Sequence, residues 1–81
     1  MTQEATFEIR AMSDPEYEDL IAEGLYRGEF CFLMTQEAGF SNRRVAIHAR
    51  ADGKPWDFAL ADLEAALDKA SSDLWELRRS P

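Results

Sequence analysis

Cys31 and His48 are the only cysteine and the only histidine in the chain. A thiolate beside an imidazole makes a nucleophile, so this pair is the first to weigh. Both residues fall on segments that read as neighbouring strands. Cys31, however, stands between Phe30 and Phe32 in "GEFCFLM", where burial raises a thiol pKa and silences it. No glycine-rich turn or helix N-terminus adjoins it to hold an oxyanion. His48 lies between Arg44 and Arg50 on the outward side of its segment, the setting of a solvated or interface imidazole. The expectation is packing for Cys31 and no catalytic residue.

Metal chemistry fails on ligand supply, because one His, one Cys and scattered carboxylates give no ligating spacing. The acidic run "DPEYED" has Asp14, Glu16, Glu18 and Asp19 but lacks the glycine and the distal bidentate glutamate of a calcium loop. It reads as a solvated loop. Paired carboxylates for acid–base work need a cleft, which a small sheet with one helix offers poorly. The chain is therefore expected to be no enzyme and to need no cofactor.

Two groups of side chains suit binding instead. Arg43, Arg44, His48 and Arg50, with Lys54 nearby, form a basic stretch that suits an anion or an acidic partner. The alternative is cross-strand pairing with Glu8, Glu23 or Glu29. Trp56 and Trp75 are either rim residues of the core or anchors of an interface, where tryptophan is enriched.

The elements that position these residues follow from periodicity. "ATFEIRAM" alternates, with Phe7, Ile9 and Ala11 on one side, as a half-buried strand does. Asp14-Pro15 ends it. Two strands follow, at about Asp19–Tyr26 and Glu29–Thr35, joined by a tight Arg27-Gly28 turn in which glycine supplies a positive φ. Simple alternation along the second puts Phe30, Phe32 and Met34 on one face and Cys31, Leu33 and Thr35 on the other. Gly24, inside the first, marks a bulge or a close backbone approach. "RRVAIHAR" alternates again, with Val45, Ile47 and Ala49 inward. "WDF" suits a very short fifth strand. Leu60, Leu63, Leu67, Ala70, Leu74 and Leu77 then recur at steps of three and four, the mark of an amphipathic helix. Arg78 and Arg79 at its end suit the helix dipole.

The expected fold is α+β: an antiparallel meander of four to five strands with one long C-terminal helix packed on one face. The 81 residues suit a single domain spanning the whole chain. At that size a chain buries roughly 60–65% of its unfolded surface, so the core is small. The net charge is −7. Such a surface repels phosphate backbones and argues against nucleic acid. One basic segment, residues 29–56, lies between two acidic ones. No stretch approaches the roughly 18 apolar residues of a membrane span. The acid-bearing start "MTQEATFEIR" does not read as a signal peptide. A single cysteine allows no intrachain disulfide, in keeping with a reducing cytoplasm.

"YEDLIAE" (17–23), "GEF" (28–30) and "QEAG" (36–39) together resemble a group of small uncharacterised bacterial proteins. In that group a strand, a Gly-x-Phe turn and a Gln-Glu-x-Gly turn precede a helix rich in Leu and Ala. The resemblance implies a stand-alone α+β domain and no activity. The sequence departs from that pattern at Gly24 and in "RADGKP".

One helix covers one side of such a sheet. The other side is expected to present an apolar strip of Ile21, Leu25 and Leu33, with Cys31 and Ala46, edged by Trp56 or Trp75. An open strip of that kind marks an interface, most simply that of a homodimer. The alternative is an acidic inhibitor, of the immunity or antitoxin kind, that covers a basic site on a partner protein.

Overall fold

The computed structural model describes residues 7–79. Residues 1–6, which include the acid-bearing start of the chain, and the side chains of Arg78 and Arg79 lie outside the described part. Four strands form one antiparallel sheet in chain order: β1 (Phe7–Met12), β2 (Ile21–Tyr26), β3 (Glu29–Thr35) and β4 (Arg44–Ile47). A 3-10 turn, Phe40–Asn42, leads into β4, and the helix α1 (Leu60–Arg79) closes the chain. The meander with one C-terminal helix is the architecture expected from periodicity. "WDF" forms no strand; it lies in the irregular segment between β4 and α1.

The β2–β3 connection is a two-residue turn in which both Arg27 (φ 53°) and Gly28 (φ 87°) are left-handed. That combination twists with the strands it joins, which is why such hairpins tolerate little else. Across this hairpin Gly24 pairs with Phe32 but Leu25 pairs with Phe30, so Cys31 is the extra residue of a β-bulge. The bulge explains a departure from simple alternation. Cys31 joins Phe32 and Met34 in the core, while Phe30 turns to the other face and lies against the His48 ring at 4.5 Å.

Gly24 shows why its strand carries no side chain there. A Cβ at that position would run into the Phe32 ring, which lies over the bare backbone. Both readings of Gly24, a bulge and a close approach, hold at one place.

The helix packs on β1 and β2 and covers that half of the sheet. Ala66, Ala70 and Leu74 of α1 meet Ala22, Cys31, Phe32 and Met34 to form the core, with Phe7, Ile9 and Leu67 packed around it. Alanines at 66 and 70 let the helix come close to the sheet. The expected apolar stripe is buried in its middle only; Leu60 and Leu77, at its ends, are exposed. The strand that follows the turn is also left out. Val45 and Ile47 point to the helix-bearing side, as their pairing with Met34 and Phe32 requires, yet every residue of β4 is exposed.

An aromatic cluster closes one end of this layer. Phe7, Tyr26 and Phe58 contact one another at 5.0–5.1 Å between ring centres, and Trp56 packs on Tyr26 and Phe58 at 6.1 and 6.0 Å. The irregular segment 54–59 is thereby fastened to the sheet without joining it.

Candidate functional site

The thiol and the imidazole do not assemble. The His48 amide donates to the Cys31 carbonyl at 2.8 Å, so their backbones are adjacent, but the bulge sends the thiol into the core. Cys31 is fully buried, and its pKa is raised above the ordinary 9.0 by burial first and by the Glu29 carboxylate second. His48 is exposed on the opposite side, against Phe30. Among the described residues, no group of His, Cys, Asp and Glu is arranged to hold a metal ion.

The basic stretch is dispersed by the fold. Arg43 folds back on its own turn: its guanidinium stacks over the Phe40 ring at 3.9 Å and donates to the Phe40 carbonyl at 2.5 Å. Arg50 pairs with Asp52 at 3.2 Å and Glu29 at 3.9 Å and lies over the Trp56 ring. Arg44 is exposed on β4 and makes no ion pair among the described residues. Of the four residues read as an anion patch, two guanidiniums serve local structure, and His48 lies against Phe30. Pairing with Glu29 was one of the alternatives read from the sequence.

The acidic loop 13–20 is held by a carboxylate. Glu37 accepts from the backbone amides of Glu18 and Asp19 at 3.0 and 2.9 Å, and Asp14 accepts from the Glu16 amide at 2.8 Å. Behind it, the buried Gln36 side chain donates to the Leu20 carbonyl at 3.0 Å. Ser13, Glu18, Asp19, Leu20 and Gln36 border a shallow depression of about 330 Å³.

The apolar residues expected at an interface separate into three groups. Ile21 is only 2% exposed. It is buried at the start of β2, so it belongs to no open strip. Leu25 and Leu33 are half-buried on the face away from α1. Trp56 is half-buried and fixed, its indole N–H donating to the His48 carbonyl at 2.6 Å. Trp75 is 41% exposed while packing against Phe40 at 4.9 Å.

Besides Leu60 and Leu77 at the ends of the helix, two open large apolar side chains lie on the sheet. Ile47 is 58% and Val45 41% exposed, on the part of the helix-bearing face that α1 leaves bare. Ser71 of the helix reaches Met34 of β3, and Trp75, one turn further, reaches Phe40 before β4. This flank of α1 therefore borders the floor that Val45 and Ile47 form. Alternation had marked both as inward residues; what it could not show was that the helix stops short of them.

Comparison of the chain with protein-family models, with curated proteins and with solved structures finds no match in any of the three. Among the described residues, no helix is long and apolar enough to cross a membrane.

Proposed function

We propose that this chain is a non-enzymatic protein-association domain that works first as a homodimer. One observation carries the reading: Val45 and Ile47 stand open on the helix-bearing face, paired with the core residues Met34 and Phe32. A small domain gains from covering apolar surface of that kind, at roughly 25 cal/mol per Å² removed from water. The surface thus moves from the sheet face away from α1, where Ile21 is already covered, to the uncovered half of the face that carries α1.

The test is solution mass by light scattering on a sizing column across protein concentration. The expected result is a mass that rises toward that of a dimer and is insensitive to salt. Ile47→Lys should return the protein to a monomer with little change in stability, since the position is exposed and lysine on an edge opposes pairing. A monomer at every concentration would remove the homodimer reading.

A second reading, an acidic inhibitor of a basic partner, draws on a separate observation. The carboxylates of the 13–20 loop project from a backbone that Glu37 holds in one shape. An acidic loop tied by Glu37, on a chain of net charge −7, fits a basic surface. Binding to such a partner would weaken steeply with salt, the opposite of the apolar self-association.

A further inference from the structure

β4 is an edge strand: among the described residues it pairs with β3 on one side and with no strand on the other. The two edges of the sheet differ. β1 carries the exposed Glu8–Arg10 pair, with a 3.1 Å contact along the strand. Charges of that kind discourage pairing with another chain. β4 reads Arg-Val-Ala-Ile, with no proline, no lysine and no bulge in its register against β3.

Its backbone direction can be read from one bond. The His48 amide points to β3, where it meets the Cys31 carbonyl. Along an antiparallel ladder this orientation alternates, so Ala46 and Arg44 also face β3. The N–H and C=O groups of Val45 and Ile47 therefore face outward from the free edge. They are the only two residues of β4 with both backbone groups available to a new strand.

We propose that a second copy of this chain pairs here, β4 against β4 in antiparallel, about a twofold axis through Ala46. The inference rests on the association reading and names its geometry. A twofold axis at Ala46 sets Val45 opposite Ile47 of the second copy, and Ile47 opposite its Val45. Outward amides then meet outward carbonyls in four hydrogen bonds. Moving the axis by half a residue would set an outward residue against an inward one, and moving it by a whole residue would set Ile47 opposite Arg43 or Val45 opposite Ala49, both outside β4. The small Ala46 lies at the axis, where its own copy comes closest. Arg44 falls beside His48 of the second copy rather than beside another Arg44, so the two strands do not oppose like arginines. The strand is therefore self-complementary in hydrogen bonding and in apolar pairing. That is the argument for a second copy over another partner.

A four-residue strand pair is small against the roughly 1,200–2,000 Å² buried in stable complexes, so the dimer should depend on concentration. A covalent trap suits it. In this register the Ala46 pair is a non-hydrogen-bonded pair, with Cα atoms about 4.5 Å apart. That spacing lies within disulfide range. Val45 faces its own copy only diagonally, at about 7–8 Å, which is beyond that range.

The experiment compares Ala46→Cys with Val45→Cys in the full chain under mild oxidation by oxidised glutathione, read on a non-reducing gel. The unmodified chain, whose Cys31 is buried, is the control. The expected result is a disulfide-linked dimer of Ala46→Cys forming at least about ten times faster than any dimer of Val45→Cys. Equal rates for the two variants, or no linkage of Ala46→Cys, would overturn the proposed pairing. Light scattering on the unmodified chain separates the two levels. A dimer that Ala46→Cys fails to trap keeps the association reading and removes β4 as its seam; a monomer that it fails to trap removes both.

Discussion

At Gly24 and Phe32 a missing side chain and a large one share a single space. A methyl at Gly24 would overlap the Phe32 ring, which is itself fully buried and cannot swing to solvent. Gly24→Ala should therefore destabilise the fold by about 1–3 kcal/mol, the usual cost of overpacking. Urea denaturation measures it. Trimming the ring, as Phe32→Leu, should recover part of that loss in the double variant, because the two side chains compete for one volume. Cys31 makes a prediction in pH. Its pKa is raised in the folded state above the ordinary 9.0, so the folded protein holds the thiol proton where the unfolded chain releases it. The contribution is complete below the unfolded value and is lost as pH rises above it. Stability should fall above pH 9.0 by at most about 1.4 kcal/mol per pH unit from this group. Cys31→Ala should lack that part of the slope, and in the unmodified chain a thiol reagent should label Cys31 at neutral pH only after denaturant is added.

Among elements, the helix and the β2–β3 hairpin were the most readable from sequence, for a physical reason. Their signals are local: a three-four apolar step for α1 and a tight Arg27-Gly28 connection for the turn. Even there, the turn holds a strain the sequence did not announce. Arg27 takes φ 53°, a conformation that costs most side chains roughly 1 kcal/mol. Arg27→Asn should stabilise the protein by about 0.5–1 kcal/mol in thermal or urea unfolding, since asparagine before glycine suits this turn. An unchanged midpoint would mean that the Arg27 guanidinium, 5.5 Å from the Tyr26 ring centre, contributes as much as the backbone loses. What could not be read was non-local. The Cys31 bulge exchanged the faces of Phe30 and Cys31, and alternation alone has no term for an inserted residue. Likewise, Val45 and Ile47 alternate as core residues do. Period two shows that side chains share a face, not that anything covers it. The cover depends on where α1 lands, which is set by Ala66 and Ala70 fitting against β2 and by the aromatic cluster that fastens residues 54–59.

At the scale of the molecule, stability should fall across the sheet from the helix outward. β2 lies between two strands and beneath α1, whereas β4 has one strand neighbour, no buried side chain and four exposed residues. Local opening follows buried contact, so β4 should open most readily. Native-state hydrogen exchange would then find the amides of Ala22 and Phe32 slowest, and the β4 amides bonded to β3, such as Ala46, distinctly faster. The same measurement tests the seam between copies. Among the described residues the Val45 and Ile47 amides face no second strand, and they should exchange close to the free-peptide rate at low concentration. Pairing of β4 with β4 gives those two amides acceptors, so their exchange should slow as protein concentration rises. The Gly28 amide, at the far hairpin, should keep its rate. Protection at Val45 and Ile47 that does not change with concentration would mean that the edge is closed within one chain, and the twofold pairing would fall with it.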